Sequence, residues 1–298
     1  MDFGFLKKKT SAVVAHCGIY FSQDRVTLCQ VNRAAEKQAP TLSFIAQHEY
    51  TSKSLSSILR QLVKEHSLKN IPCCWILSPS DYQLFILDKP AIPETEIAAA
   101  LRWQVKDLIT YPAHEAVTQF VTIPSHHAAT AKIFVAVARL SALEEREQLL
   151  REAGLHLTSI DILELSLRNL CSVVDQKAYT GLLLLGSAQT EFVITHVSQL
   201  LLSLRDNNTG ENIAQLVPEI TRAFTFCQHQ LQESFPNTLY VSGGTPQQLV
   251  YLSATVEEIQ VLPYAVTLCC QGKELEKNYL SISSDAWIAL GGALRQEV

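Results

Sequence analysis

The feature that most constrains the fold of this sequence is an order of segments that occurs twice. Three short β-like runs are followed by an amphipathic helix and a further β-like run, and the same order returns after residue 180. Turn-forming residues separate the runs, which predicts an antiparallel meander in each half. The halves share little identity, so the repeat is one of pattern. The predicted meander strands are residues 11–16, 25–31 and 42–48 in the first half, and 181–186, 191–196 and 200–205 in the second.

An amphipathic helix follows each meander. Residues 54–66 place apolar side chains at i, i+3, i+4, i+7 and i+8, and residues 211–233 keep one apolar face. Further β runs come next, at residues 73–77 and 238–241. A three-strand meander followed by a helix and a parallel strand is typical of a ribonuclease-H-like domain, and two such domains face each other in actin-like proteins. The predicted fold class is therefore α/β with two ribonuclease-H-like domains.

An extra α/β segment lies between the two repeats, and two prolines in residues 89–93 mark where it begins. A helix is predicted at residues 94–109, because Glu94 and Glu96 suit the positive end of the helix dipole. Its buried stripe consists of four apolar side chains at helical spacing, Ile97, Leu101, Val105 and Leu108.

A second helix in this segment is predicted at residues 141–153. Ser141 is its expected cap, with Glu144 three residues further on, and Gly154 is its stop signal. The remaining predicted elements are strands at 82–87, 116–123 and 132–138, a loop at His126–His127, and helices at 162–174 and 284–296.

Composition and charge exclude several classes of protein. A net charge of −5 gives no reason to expect nucleic acid as a main ligand. No apolar run reaches the ~18 residues that a membrane-spanning helix needs. Residues 1–9 lack the apolar core of a signal peptide. We therefore expect a cytoplasmic protein that reaches a membrane only through a partner or by surface attachment.

The eight cysteines give no sign of a metal site. None belongs to a C-x-x-C pair, and the neighbours Cys73–Cys74 and Cys269–Cys270 would point to opposite faces of a strand. We expect buried, reduced thiols and no metal ligands.

Five segments resemble the PilM-like family of pilus assembly proteins. The resemblance rests on their order and spacing, which follow the family over nearly the whole chain. The segments are residues 18–26 at the family's first phosphate hairpin, 100–112 at a helix ending in I-P-F/Y-P, 149–161 at a helix-to-strand stretch, 242–245 at the nucleotide loop, and 289–295 at the closing helix.

This resemblance implies the actin-like ATPase fold, in which two ribonuclease-H-like domains carry an inserted α/β subdomain. The first domain would cover residues 1–168, with the inserted subdomain near 90–160. The second would cover residues 169–283, and the C-terminal helix 284–298 would return to the first.

Actin-like ATPases normally carry D-x-G in each of two phosphate hairpins, where the aspartate positions Mg²⁺ or water and the glycine lets amides approach the phosphate. By resemblance, Tyr20 and Leu184 stand at the two aspartate positions here, while Gly186 is kept. Asp24 could substitute for the first aspartate, but a plain polar turn explains it better. We expect no catalytic residue, no metal ligand and no ATPase activity.

Residues 242–245 are the best preserved motif. In the family this loop approaches the sugar and adenine of the nucleotide, so Gly243, Gly244 and Thr245, together with Gly186, form a remnant site for ATP or ADP. The alternative is a structural turn, since Gly-Gly after a strand is a common turn signal. Asp161 and Glu164 are paired only by spacing, and a helix N-terminus accounts for both.

Family members bind a short cytoplasmic tail of an inner-membrane protein in a groove between the first domain and the inserted subdomain. By resemblance, residues 103–112 form part of that groove. Its predicted partner-binding residues are Trp103, Leu108, Tyr111 and Pro112, which suit peptide recognition, although a packed helix end explains each of them equally well.

Three functions remain open at this stage. The first is a non-catalytic cytoplasmic scaffold in assembly of a type IV pilus of the MSHA class, bound to a PilN-like tail. The second is an active or nucleotide-binding ATPase of the same fold, against which the missing aspartates argue. The third is the cytoplasmic component of a type II secretion system.

Overall fold

A computed structural model describes residues 14–33, 39–125, 131–174, 179–186, 189–206, 213–231, 237–264 and 282–296. The predicted loop at His126–His127 and the pair Cys269–Cys270 lie outside the described residues.

The first half of the chain forms two sheets. In chain order its elements are β1 (Val14–Phe21), β2 (Arg25–Arg33), β3 (Thr41–Glu49), α1 (Leu55–Glu65), β4 (Pro72–Leu77), β5 (Tyr82–Asp88), α2 (Glu94–Gln104), β6 (Ala116–Ile123), β7 (Lys132–Arg139), α3 (Leu140–Glu152) and β8 (His156–Ile162). The first sheet has the strand order β3-β2-β1-β4-β8, and β5-β7-β6 make a separate three-stranded sheet. This three-stranded sheet, which we call the third sheet, is built from the chain between β4 and β8.

The second half repeats the topology of the first sheet. Its elements are α4 (Leu163–Cys171), β9 (Tyr179–Leu185), β10 (Thr190–His196), β11 (Gln199–Asp206), α5 (Ile213–Leu231), β12 (Asn237–Gly243), α6 (Pro246–Thr255), β13 (Ile259–Pro263) and α7 (Ser284–Ala293). The second sheet has the order β11-β10-β9-β12-β13, with an antiparallel meander followed by two parallel strands. This is the arrangement of the first sheet, so the predicted repeat is present in the fold.

The helices separate the molecule into layers. Helices α1 and α3 pack on one face of the first sheet, and α5 and α6 pack on one face of the second. Helices α4 and α7 lie between the two sheets and belong to an apolar cluster that draws side chains from both. One continuous core therefore joins the two halves.

Helix α7 lies close against β1 because both elements present glycine at the contact. A Cβ on Gly18 would lie 1.9 Å from the carbonyl oxygen of Ala289. A Cβ on Gly292 would lie 2.2 Å from the Ile76 side chain. Larger residues would push α7 away from the first sheet, which explains the small residues of the closing motif.

Several predicted boundaries need correction. Strand β1 continues to Phe21, beyond the predicted end at residue 16, so Tyr20 lies in the strand itself. Helix α2 ends at Gln104, and Leu108 is 49% exposed and is not part of the buried stripe. Ser141 does not cap α3, which begins after Arg139 without a side-chain cap.

Two elements that follow the Gly-Gly turn were not predicted, α6 and β13. Residues 156–162 also form a full strand, β8, so the helix predicted at residues 162–174 is shorter and occupies Leu163–Cys171.

Candidate functional site

The turns between β1 and β2 and between β9 and β10 line one cavity of about 430 Å³, which we call the cleft. Tyr20 and Leu184 both line it, as does Gly186. Tyr20 is 4% exposed and Leu184 is 1% exposed. Both side chains therefore belong to the core beneath the cleft, and burial raises the pKa of the Tyr20 hydroxyl.

Three carboxylates and one cation line the described part of the cleft. Asp24 and Arg25 lie at the first turn, Glu191 on β10, and Asp285 in the first turn of α7. Burial raises the pKa of Asp285 and raises the pKa of Glu191 to about 7. Arg205 opposes the rise at Glu191, and the nearby Glu164 carboxylate adds to it. This balance of charge disfavours a polyphosphate ligand.

One backbone amide in each turn already has a partner. The Ser22 N–H donates to the Arg25 carbonyl at 2.9 Å, and the Gly186 N–H donates to the Gln189 carbonyl at 3.1 Å. A phosphate-binding loop instead points free amides at the anion. With three carboxylates and two paired amides, the described residues of the cleft are a poor fit for a nucleoside triphosphate.

Residues 242–245 form the turn from β12 into α6. Gly243 and Gly244 have φ angles of +76° and +72°, and a Cβ on Gly243 would lie 2.2 Å from the Leu185 carbonyl oxygen. Thr245 and Gln248 form a reciprocal capping box for α6. None of Gly243, Gly244 and Thr245 lines the cleft, and the turn and the cap account for all three residues.

A second cavity, of about 660 Å³, lies between α3 and the first sheet, and we call it the groove. Two donors in its walls have no acceptor among the described residues, the indole N–H of Trp75 and a terminal nitrogen of Arg146. Trp75 is 3% exposed, and the Arg146 guanidinium lies 4.4 Å from the centre of the Phe21 ring. Unpaired buried donors cost free energy, so a carbonyl or carboxylate oxygen that reached either nitrogen would be stabilised.

The groove also has a negative balance of charge over its described lining. Asp81, Glu145 and Glu152 line it together with the single cation Arg146. Burial raises the pKa of Asp81, while the Ser78 N–H and Arg146 lower it. An extended peptide could offer backbone carbonyls to the unpaired donors and basic side chains to these carboxylates.

The four predicted partner-binding residues lie elsewhere. Trp103 and Leu108 are exposed, at 64% and 49%. Tyr111 is half-buried near Arg139, whose guanidinium lies 5.9 Å from its ring centre, and Pro112 precedes a short 3-10 turn. None of the four lines the groove or the cleft. Contact between these residues and a partner stays a prediction.

Asp161 and Glu164 have arginine partners from distant elements. Arg295 donates to Asp161 at 2.9 Å, which ties the end of α7 to β8, and Arg205 donates to Glu164 at 2.9 Å. Burial raises the pKa of both carboxyls, and the arginines oppose that rise. Each of the two acids therefore forms a structural ion pair with its own arginine. Glu164 also lies in the first turn of α4, as expected.

The described part of the chain holds neither a metal-binding cluster nor a membrane-spanning helix. No group of three His, Cys, Asp or Glu side chains there could hold a metal ion. None of the described helices has the length and apolar character needed to cross a bilayer. Asp24, the candidate substitute for a hairpin aspartate, is exposed at the first turn.

The sequence matches no protein-family profile and no curated protein. Among solved structures, the fold is similar to a chain of the PilM–PilN type IV pilus biogenesis complex, with 18% identity, a TM-score of 0.67, and coverage of 94% of this chain and 97% of that one. It is also similar to the cytoplasmic domain of EpsL, an inner membrane component of the type II secretion system of Vibrio cholerae, with 11% identity, a TM-score of 0.53, and coverage of 95% and 96%. The fold class is thus the actin-like ATPase fold, as the sequence predicted.

Proposed function

We propose that this protein is a non-catalytic scaffold in the assembly of a type IV pilus, and that it binds the cytoplasmic tail of a PilN-like inner-membrane protein. The five sequence segments and the likeness to a chain of the PilM–PilN complex support this assignment. The protein would lie in the cytoplasm and associate with the inner membrane through that partner. The resemblance of the segments to the MSHA-pilus biogenesis protein MshI supports a pilus of the MSHA class.

The groove is our proposed binding place for the tail, and the observation that carries this proposal is its pair of unpaired donors. Trp75 and Arg146 both line a cavity large enough for several residues of extended chain, and each carries a buried donor without an acceptor among the described residues. Cytoplasmic segments next to a membrane span are rich in lysine and arginine. The carboxylates of Asp81, Glu145 and Glu152 complement such a segment.

We also propose that the protein does not hydrolyse ATP. Tyr20 and Leu184 stand where the fold normally has aspartates, and leucine can neither bind Mg²⁺ nor orient water. The hairpin amides and the cleft carboxylates support the same conclusion. The purified protein should release no stoichiometric ATP or ADP when it is denatured, which mass spectrometry of the supernatant measures. Steady-state phosphate release well above that of a denatured control would contradict the proposal.

Binding to the tail can be measured by fluorescence anisotropy with a labelled peptide from the PilN-like protein of the same organism. Arg146→Met should weaken binding by about tenfold or more, because it removes the unpaired donor and leaves the three groove carboxylates in place. Trp75→Phe should weaken it less, because only the N–H is lost. Arg151→Met is the matched control, since Arg151 lies on the same helix outside the groove and is exposed.

The same titration tests the sequence-based prediction for the exposed segment. If Trp103→Ala abolishes binding while Arg146→Met leaves it unchanged, the tail binds at residues 103–112 and the groove assignment is wrong. If the wild-type chain binds no PilN-like tail, the pilus assignment fails.

A type II secretion role is the second candidate, because the described fold is also similar to the EpsL cytoplasmic domain. A tail from a secretion-system membrane protein, titrated in parallel, separates the two candidates by relative affinity.

A further inference from the structure

A buried polar cluster joins three parts of the molecule that are distant in the sequence. It contains Tyr82 at the start of β5, Glu164 in the first turn of α4, and Glu191 and Arg205 on β10 and β11. Tyr82 is 6% exposed, and the two glutamates are 2% exposed. We call these four residues the Arg205 cluster. It connects the third sheet and the start of α4 to the second sheet.

Arg205 is bonded to each of the other three members. Its Nε donates to Glu191 at 3.0 Å, and one terminal nitrogen donates to Glu164 at 2.9 Å and to the Tyr82 hydroxyl at 3.1 Å. The Tyr82 hydroxyl in turn donates to the second oxygen of Glu164 at 2.5 Å. A single guanidinium thus holds together groups from three elements in a fixed geometry.

The charges of the cluster make this guanidinium indispensable to its geometry. Two buried carboxylates face one cation, and Gln189 adds a neutral hydrogen bond to Glu191 at 2.6 Å. Without Arg205, the buried Glu164 and Glu191 carboxyls would have to stay charged without a cation or take up a proton, and both would lose their bond to β11. Loss of one partner from a buried pair is strongly unfavourable, so the elements that carry the two carboxylates would move apart or admit water.

The cluster adjoins a wall that the cleft and the groove share. The turn between β4 and β5 lines the cleft with residues 78–80 and the groove with Asp81, and Gln23 lines both cavities. Tyr82 is the next residue after Asp81, and the Asp81 N–H donates to the Ser78 carbonyl at 2.8 Å. We call residues 78–81 the shared wall. Glu191, at the other end of the cluster, also lines the cleft.

We propose that the Arg205 cluster is a conformational latch, which fixes the second sheet to the shared wall so that the cleft and the groove change shape together. With the latch closed, Tyr82 holds one end of the wall and Glu191 holds the opposite side of the cleft. Release of Arg205 frees both ends at once. The latch itself does not depend on the proposed function. Only its expected effect on a tail bound in the groove rests on that proposal.

Hydrogen exchange of the full chain, read by mass spectrometry without any partner, tests the latch. Arg205→Met keeps the length of the side chain and removes the guanidinium. Exchange should rise by about tenfold or more both in residues 190–206 and across the interface in residues 78–84. Arg151→Met is the matched control, because Arg151 is exposed and pairs with Glu147 within α3, away from the cluster. It should leave both regions at wild-type rates.

Tyr82→Phe tests the reciprocal direction and removes only one hydroxyl. It should raise exchange in residues 190–206, which lie on the other side of the interface. Tyr50→Phe, which loses a hydroxyl bonded to the Ser22 carbonyl, should not change that region. Should Arg205→Met unfold the chain, this pair of variants decides the matter.

The latch is overturned if Arg205→Met raises exchange only within residues 190–206 while residues 78–84 keep their wild-type rates. It is equally overturned if Tyr82→Phe leaves residues 190–206 unchanged. Neither result depends on whether a tail binds, so failure of the latch and failure of the proposed function are separate outcomes.

Discussion

At the residue scale, burial and charge act together on the Glu191 carboxyl. It is bonded to Arg205 and lines the cleft, yet its pKa rises to about 7 from an ordinary value of 4.5. Desolvation is the largest cause, because a carboxylate loses water on burial, and one arginine is shared with Glu164. The folded protein therefore takes up a proton at Glu191 more readily than the unfolded chain does.

This difference predicts a pH dependence of stability. Because the pKa of the folded state lies above that of the unfolded state, the contribution of Glu191 is fully present below about pH 4.5 and is lost as the pH rises through about 7. Wild type should lose on the order of 2 kcal/mol relative to Glu191→Gln between pH 5 and pH 8. Urea unfolding of both proteins at several pH values measures it.

The comparison with Glu191→Gln isolates this residue, because Asp81, Asp161, Glu164 and Asp285 also have pKa values raised by burial. Those four groups titrate in both proteins. A difference in the free energy of unfolding that stays constant from pH 5 to pH 8 would contradict the prediction.

Gly243 provides a second prediction at this scale. Its φ of +76° and the nearby Leu185 carbonyl both oppose a side chain. Gly243→Ala should lower the free energy of unfolding by about 3 kcal/mol, the sum of backbone strain and steric overlap. Gly154→Ala is the control, since Gly154 has φ +95° but its Cβ would meet only Val63 at 3.5 Å. Gly154→Ala should lower the free energy of unfolding by about 1 kcal/mol. If both variants lose the same amount, steric overlap at Gly243 does not contribute.

Sequence reasoning placed Tyr20, Leu184 and Gly186 at one site because each lies in a motif that the family resemblance aligns. The structure does put all three in the lining of the cleft. No sequence motif indicated that Trp75 and Arg146 line the same cavity. They come from a strand and a helix far apart in the chain, and neither residue type alone indicates an unpaired donor.

At the element scale, long amphipathic helices and short aliphatic strands were predictable because each shows its burial pattern locally. Helices α1 and α5 have such patterns, and their observed bounds lie within about two residues of the predicted ones. Helix α2 ends early because the chain must turn before β6, a constraint that its apolar spacing does not carry. Helix α6 was missed although Thr245-Pro246 and Gln248 form a readable capping signal.

That capping box carries the next prediction. Thr245 Oγ1 accepts the Gln248 N–H at 3.3 Å, and the Gln248 side chain accepts the Thr245 N–H at 2.7 Å. Thr245→Ala should destabilise the protein by about 1 kcal/mol. Thr255→Ala, which loses a threonine bond to the Tyr251 carbonyl at the other end of α6, should have a smaller effect in the same thermal unfolding assay. If Thr255→Ala destabilised the protein more than Thr245→Ala, the prediction for the capping box would be wrong.

At the scale of the whole molecule, the two five-stranded sheets share one apolar cluster through α4 and α7. Trp287 and Leu290 of α7 and Leu167 of α4 are fully buried in it, beside Leu182 and Val193 of the second sheet. Neither half can expose that cluster without a large loss of apolar burial. The repeat predicted two domains from the sequence, but it could not predict that their cores are continuous, because that depends on where α7 packs.

Unfolding should therefore occur in one transition for both halves. Circular dichroism and tryptophan fluorescence should give the same midpoint, and the calorimetric and van't Hoff enthalpies should agree. A chain that ends at residue 282, and so lacks α7, should show no cooperative transition. Two separate transitions in the wild type, or a cooperative one in the shortened chain, would contradict this prediction.

The position of α7 has a consequence for synthesis on the ribosome. The Arg33 side chain donates to the Arg295 carbonyl, 262 positions along the chain, and Gly18 is covered by the same helix. While the chain is being made, the face of the first sheet beneath α7 stays uncovered until the last described helix emerges. Such distant contacts slow folding and leave apolar surface exposed in nascent chains. The first meander is therefore the part of the chain that waits longest for its covering helix.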